Sequence, residues 1–371
     1  MSFLEDSYRT QGVFVTGHTG FKGAWLAEWL ATLGAEVTGY ALDPPTEPNL
    51  FDALDLGNRL RHVVADIRDG ERLAAEVHAA QPSVIFHLAA RALVLRAYAE
   101  PRETFETNVM GTVNVLEAAR ACPSVRAVVI VTSDKCYENL ETGRAFRETD
   151  PMGGRDPYAA SKACAELVTA AYRESFFGDG AAVASVRAGN VIGGGDWAPD
   201  RIIPDSVRAL AAGEPIVVRN PDAIRPWQHV LEPLSGYLRL GALLLADGRR
   251  YEGAWNFGPP EERSDQPVRW VVERFLAEWG TGSWTTPADA EGQPHEALRL
   301  SLDSAKAREQ LGWAPVWDAP TAVRRTASWY REYYRAPARA CELVEHELQA
   351  YQDDARAAGL PWAGGDEGTT R

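Results

Sequence analysis

Between Gly12 and about Ala188 two hydrophobic patterns alternate along the chain. Short apolar runs rich in β-branched residues read as strands: Gly12 to Thr16 (GVFVT), Glu36 to Leu42, His62 to Ala65, Ser83 to Leu88 and Ala127 to Thr132 (AVVIVT). Near-continuous apolar character predicts burial on both faces. Between these runs the apolar positions recur every three or four residues. Trp25, Leu26, Trp29, Leu30 and Leu33 form one stripe in the helix predicted over Gly23 to Leu33, and Arg72 to Ala80 and Glu103 to Cys122 carry the same period. Strands alternating with helices predict an α/β fold, a doubly wound parallel sheet with right-handed crossovers. From about Val191 the pattern breaks. Gly193-Gly194-Gly195 is followed by Pro199, Pro204, Pro215, Pro221, Pro226 and Pro233, which predicts a smaller mixed α/β lobe. An amphipathic helix is predicted near Thr321 to Tyr334, and Ala363 to Arg371 is predicted to be a disordered tail.

Composition narrows the partners. The chain has 371 residues with 38 Lys+Arg against 52 Asp+Glu, a net charge of -14, which opposes binding to a phosphate backbone. No stretch approaches a membrane span, and Met1 to Gln11 has no apolar h-region, so a cytoplasmic protein without a membrane partner is expected. Cys122, Cys136, Cys164 and Cys341 form no CxxC pair and no zinc spacing, so four reduced thiols and no metal are expected.

The segment Thr16-Gly17-His18-Thr19-Gly20-Phe21-Lys22-Gly23 joins the first strand to the first helix with GxxGxxG spacing. Gly17 suits a tight turn, Gly20 a close approach to a pyrophosphate, and Gly23 close packing of helix on strand. A glycine triplet alone is weak. Here a strand precedes it, a helix follows, and Asp43 ends the second strand 20 residues after Gly23, where a ribose-binding acid is expected. The sheet is therefore expected to be Rossmann-like, with Asp43 favouring NAD over NADP and Lys22, placed beside the ribose, as the counterweight. Asp66 and Ile67 are candidates to flank the adenine, and Leu88, Ala89 and Ala90 to line the cofactor backbone. Asp66 is equally readable as a turn residue and His87 as a structural histidine. The expected domains are 1–188 for dinucleotide binding, rejoined at about 223–250, then 189–222 with 251–334 for the second lobe, and 335–371 for a C-terminal helix and tail.

Tyr158 and Lys162 lie four residues apart in Asp156-Pro157-Tyr158-Ala159-Ala160-Ser161-Lys162, hence on one face of a helix capped by Asp156. A nearby ammonium is expected to lower the tyrosine pKa toward neutrality and make it a base toward an alcohol. Such a pair is common at random and gains weight only beside the dinucleotide motif. The fifth strand ends in Ser133, Asp134 and Lys135, at the strand terminus where a doubly wound sheet opens on its ligand. Alone, Asp134-Lys135 reads as an exposed ion pair.

Together these stretches resemble the extended short-chain dehydrogenase/reductase family, and within it the nucleotide-sugar 4,6-dehydratases of the CDP-glucose branch. The matching stretches run from TGHTGFKGAWL (Thr16 to Leu26) through TSDKCYEN (Thr132 to Asn139), GGRDPYAASKACAEL (Gly153 to Leu167) and RAGNVIGGGDWAPDRIIPD (Arg187 to Asp205) to IRPWQHVLEPLSGY (Ile224 to Tyr237). The resemblance implies roles. Tyr158, with Ser133 and Lys162, deprotonates the sugar 4-hydroxyl; Lys135 removes the C5 proton; Asp134 protonates the leaving 6-hydroxyl; NAD is the cofactor. It also implies a nucleotide-sugar-binding second lobe, with Arg91, Asn190, Arg201, Arg219 and Arg225 as substrate contacts, and a homodimer built on the helices near Glu103 to Cys122 and Tyr158 to Phe177. The alternatives are an epimerase or reductase on the same scaffold, which has no need of Asp134 and Lys135, and a non-catalytic dinucleotide-binding regulator. The chain departs from the family pattern at Arg91 to Arg96, at Leu140 to Phe146 and at Leu298-Arg299.

Overall fold

The runs read as strands build one parallel sheet. The structure is a computed structural model describing residues 2–259, 265–287 and 300–364. Its strands are β1 (Gly12–Thr16), β2 (Glu36–Ala41), β3 (Arg61–Val64), β4 (Val84–His87), β5 (Ala127–Val131) and β6 (Ala182–Ala188), joined by Gly253–Phe257. Their order places Gly253–Phe257 outermost, then β6, β5, β4, β1, β2 and β3. The order reverses between β1 and β4, where Thr16 stands opposite His87. A crevice at the carboxyl ends of the strands follows from that reversal. The Gly253–Phe257 strand pairs with β6 although its residues were expected in the second lobe. Nothing local marks it as a sheet strand; its neighbour is some seventy residues earlier in the chain.

Helices cover both faces. Phe21–Thr32 buries Trp25 and Trp29 completely. The helix Leu231–Asp247 buries every residue from Leu231 to Leu244, with Glu232 and Arg239 among them. Glu103 to Cys122 is not one regular helix. Glu106–Met110 is a π-helical segment between Pro101–Phe105 and Gly111–Ala121. There the side chain of Asn108 donates to Arg91 O at 3.1 Å and to Ser161 Oγ at 2.8 Å. Inserting one residue per turn turns that amide toward the loop after β4.

The second region has short pairings, Val191–Ile192 with Gln228–His229 and Ile224–Pro226 with Asp265–Pro267, around the helices Ile202–Ala212 and Val268–Trp279. Aromatic packing holds it. A Cβ on Gly194 would lie 2.0 Å from the Trp329 ring. Ala319–Arg335 is the predicted amphipathic helix, capped by Asp318 accepting from Thr321 N at 3.0 Å. The chain then adds Ala340–Ala357 and buries Trp362 and Ala363 against Trp29 and Tyr351. Ala363 therefore belongs to the core rather than to the predicted tail; residues 365–371 lie outside the described residues. Leu298-Arg299 also lies outside them.

Candidate active site

A cavity of about 710 Å³ opens at the carboxyl ends of β1, β2, β4, β5 and β6 and extends under the second region. Gly17, Thr19, Gly20, Phe21, Lys22, Gly23, Asp43, Asp66, Ile67, Leu88, Ala89, Ala90, Arg91, Ser133, Asp134, Lys135, Tyr158, Lys162, Asn190, Arg201, Arg219 and Arg225 all line it. The sequence-predicted residues are thus brought to one place. What each can do there depends on its partners.

One end is shaped by backbone. Gly17 sits at φ +77°, and a Cβ there would meet Ala89 N at 2.6 Å; a Cβ on Gly23 would lie 2.1 Å from Gly17 O. No side chain fits at either position, so the turn, the helix start and the loop after β4 close on one another. Thr16 Oγ1 accepts from Leu88 N and Ala89 N at 3.2 Å each, and shares a 2.7 Å bond with His87. Burial, with Lys162 nearby, pulls His87 down to about 3, so it is a neutral strut, as its structural reading had it. Thr19 Oγ1 donates to Leu42 O at 2.9 Å and anchors the turn against the end of β2. Asp43 follows, exposed at the cavity edge. Asp66 does not present a free carboxylate: Arg68 holds it through Nε and Nη2, at 2.6 Å for the shortest contact, and keeps its pKa below the usual range. These glycines, the free helix N-terminus and the small residues after β4 fit a dinucleotide pyrophosphate, and Asp43 fits its ribose.

The other end is made of buried charge. Tyr158 is 8% exposed, Lys162 6% and Asp134 2%. Lys162 Nζ donates to Val131 O at 3.1 Å. Burial pulls its pKa to about 8, against the pull of Glu166. The expectation that Tyr158 lies near neutrality is not met. Burial pushes its phenol up to about 12, the hydrogen bond with Ser133 and the charge of Arg201 pull it down, and Asp134 and Asp156 push it up. Burial also raises the Asp134 carboxyl above the usual range, against Lys135, the Ser133 hydrogen bond, Arg225 and Lys22. Ser133 Oγ donates to Asp134 Oδ1 at 3.0 Å. Gly189 leaves room for the other oxygen, since a Cβ there would lie 3.0 Å from Asp134 Oδ2. Asp134 is thus a buried carboxyl whose neutral form is favoured by loss of solvent, not half of an exposed pair.

Behind this end Glu166 accepts from Thr132 Oγ1 at 2.5 Å, Ser185 Oγ at 2.7 Å and Arg187 at 2.7 Å. Burial opposes its ionisation, but Arg187 and the two hydroxyls hold it below the usual range. The ion pair fixes the ends of β5 and β6 to the helix Pro157–Phe176.

Several candidates sit differently from the sequence expectation. Lys22 reaches the chemistry end instead of flanking the ribose. Its Nζ lies 5.8 Å from the Tyr237 ring centroid, and loss of solvent, with Arg201 and Lys162 close by, pulls it to about 8 against Asp134. The Arg91 guanidinium is engaged by Glu100 and, at 2.8 Å, by Glu103, while the Arg91 backbone N–H donates to Asn108 Oδ1 at 2.8 Å. Arg201 pairs with Asp196 at 2.8 Å, Arg219 reaches Asp200 O at 3.4 Å, and buried Arg225 donates to Ile224 O at 2.9 Å. Tyr237, fully buried under the Lys22 ammonium, is brought there only by the fold, and no spacing in the sequence points to it.

A dinucleotide turn beside a buried Ser/Tyr/Lys set defines a nicotinamide-dependent enzyme of the short-chain dehydrogenase/reductase type. Residues 13–248 match the model of the NAD dependent epimerase/dehydratase family, and the chain belongs to that family. It is 48% identical over 330 residues to a CDP-glucose 4,6-dehydratase of Salmonella typhimurium, covering 87% of this chain and 91% of that protein. A dTDP-glucose 4,6-dehydratase of Streptomyces griseus is 30% identical over 331 residues, 87% of this chain and 95% of that protein. Among solved structures, DesIV, a dTDP-glucose 4,6-dehydratase from Streptomyces venezuelae with NAD bound, superposes with a TM-score of 0.72 at 30% identity, covering 88% of this chain and 99% of that one. The cofactor is NAD.

Proposed function

We propose that this chain catalyses the NAD-dependent 4,6-dehydration of a nucleotide-activated sugar, converting CDP-D-glucose to CDP-4-keto-6-deoxy-D-glucose and water as a hydro-lyase of deoxysugar biosynthesis. The observation that carries this is the buried Asp134 carboxyl, with Lys135 beside it, in the same cavity as Tyr158 and Lys162. Elimination needs both an acid and a base, and an oxidation alone needs neither of these two residues. An epimerase or reductase would leave Asp134 and Lys135 without a task, and a non-catalytic module would leave the whole set without one.

The residues divide the work as follows. NAD, when bound, supplies the acceptor for the hydrogen at C4 and returns it at C6. Tyr158, in its phenolate form, takes the proton of the 4-hydroxyl, with Ser133 hydrogen-bonded to it and Lys162 in the same cavity. The ketone at C4 acidifies the proton on C5, which Lys135 removes. The electron pair of that C–H bond becomes the C5–C6 double bond, the C6–O bond breaks, and Asp134 protonates the departing hydroxyl to give water. Lys135 returns its proton to C5, and the proton taken by Tyr158 balances the one Asp134 gave up. Arg201, Arg219 and Arg225 stand at the second-lobe side of the cavity, where a diphosphate needs cations, and Asn190 offers an amide beside them. Arg91 acts on the sugar through the shape of its loop, since its guanidinium is held by two glutamates.

The assembly is a cytoplasmic homodimer. Phe105, Met110, Leu167 and Phe176 are exposed on the two stretches 101–121 and 157–176, and a second copy covers them. Among the described residues no helix is long and apolar enough to cross a membrane.

The test is incubation with CDP-, dTDP-, UDP- and GDP-glucose followed by mass spectrometry. CDP-glucose should lose one water. A product of unchanged mass would contradict the elimination.

A further inference from the structure

Two buried polar atoms at the chemistry end have no hydrogen-bond partner among the described residues: Asp134 Oδ2 and the hydroxyl of Tyr237. One is an acceptor when ionised and the other a donor. A buried polar atom left without a partner is costly in a folded core. Lys22 connects the two geometrically: it lines the same cavity as Asp134, and its ammonium stands over the Tyr237 ring.

Tyr237 is fully buried on the helix Leu231–Asp247, and its phenol feels the charges of Tyr158 and Asp134. From the first turn of Phe21–Thr32, Lys22 places its ammonium 5.8 Å from the centroid of the same ring. A cation over a tyrosine face is attracted by the ring quadrupole. Lysine is seldom shielded without an acidic group within reach, and Asp134 is the neighbour whose ionised form supports the charge on Lys22. Tyr158 already has the Ser133 hydroxyl as its partner. Three observations therefore meet at Asp134: an orphan acceptor, an orphan donor, and an ammonium standing over the donor's ring.

We propose that Tyr237 and Lys22 are positioning residues for the elimination step: the Tyr237 hydroxyl donates to Asp134 Oδ2 once that carboxyl has given up its proton, and the Lys22 ammonium balances the new negative charge. This rests on the reading of Asp134 as the acid. The other groups facing Asp134 are Lys135 from its own turn, Arg225 from the second lobe, Tyr158 from the helix Pro157–Phe176, and Cys136. None of them donates to Oδ2, so the phenol fills a place they leave open.

The test separates the two halves of the reaction in single turnover with CDP-glucose and NAD, reading reduced nicotinamide by absorbance and water loss by mass. Tyr237→Phe removes one oxygen that holds no partner, so its thermal midpoint should equal or exceed that of the wild type. Its oxidation phase should be unchanged and its water-loss phase slower by about tenfold, the effect of ~1.4 kcal/mol on a barrier. The limb of the pH profile that follows Asp134 ionisation should move to higher pH, because the carboxylate has lost a donor. Lys22→Met should act in the same direction, and Lys22→Arg should restore most of the rate. Water loss at wild-type rate and with wild-type pH dependence in both Tyr237→Phe and Lys22→Met overturns the proposal. So does equal slowing of both phases, which would assign the phenol to Tyr158, and so does a changed NAD/NADP preference as the sole effect of Lys22→Met. Failure of the wild type itself to release water overturns the dehydratase reading, and this proposal with it; wild-type dehydration with unaltered variants overturns this proposal alone.

Discussion

At the ribose end of the cavity the chain works with backbone: Gly17 at positive φ, Gly23 packed against Gly17 O, amides of Leu88 and Ala89 tied to Thr16, and one exposed carboxylate, Asp43. At the chemistry end it works with shielded ionisable side chains: Tyr158, Lys162, Asp134 and Lys22 stand close enough to move one another's proton affinities. A backbone site binds whatever presents a pyrophosphate and asks little of pH. A cluster of buried charges is costly to assemble and sensitive to single protons. The difference shows where the chain spends stability: on the groups that must change protonation during turnover.

The predictions probe that division, beginning with the largest effect. Tyr158→Phe keeps the ring that packs in the helix and removes the only oxygen able to take the 4-hydroxyl proton. It should lower both oxidation and water loss by about 10²–10⁴-fold, measured as the single-turnover rate with CDP-glucose. An oxidation phase of normal rate would place the base elsewhere. At the ribose end, Gly23→Ala puts a Cβ 2.1 Å from a carbonyl oxygen. It should cost about 1–3 kcal/mol of stability through overpacking and weaken NAD far more than CDP-glucose, as titration calorimetry would show. Equal loss of both ligands would contradict a local backbone role. Asp43→Asn should act on neither step of the chemistry and relax discrimination against NADP by roughly tenfold in the ratio of dissociation constants, about 1.4 kcal/mol. Better binding of NADP than NAD by the wild type would remove Asp43 from the ribose.

The smallest effect lies outside both ends. Glu232 is buried and accepts from Val316 N at 2.9 Å, Trp317 N at 2.7 Å and Tyr351 Oη at 2.8 Å, and burial raises it to about 7. Its folded pKa is above its unfolded value, so the folded state holds the proton longer. Stability from this group is therefore present below the ordinary glutamate pKa and falls as pH rises toward 7. Thermal midpoints should decline over that window in the wild type and decline less in Glu232→Gln. An identical slope in the two proteins would show that Glu232 ionises in the fold as it does in water.

The same division explains what was legible in the sequence. The ribose end could be read because its signals are local: GxxGxxG between a strand and a helix, Asp43 at a set distance, and apolar runs that became β1, β2, β4 and β5. The pairing of Tyr158 with Lys162 was local too, being one turn of helix. What escaped depends on elements far apart in the chain. The Tyr158 phenol lies above its ordinary pKa, not below it, because burial outweighs the positive charge nearby, and burial is set by the whole fold. Lys22 was assigned to the ribose because it adjoins the glycines, whereas its long side chain runs to the other end of the cavity. Tyr237 is an unmarked position in an apolar helix until that helix is laid against β5. Gly253–Phe257 lacked a visible partner until β6 was placed beside it.

The most direct measurement of the account is rapid mixing of Asp134→Asn with CDP-glucose and NAD, following reduced nicotinamide and released water together. If oxidation and elimination rest on different residues of one cavity, reduced nicotinamide should form at the wild-type rate and persist, while water loss falls by about 10²–10³-fold. Water loss at the wild-type rate would contradict the assignment of Asp134, and loss of both phases would contradict the separation of the two steps.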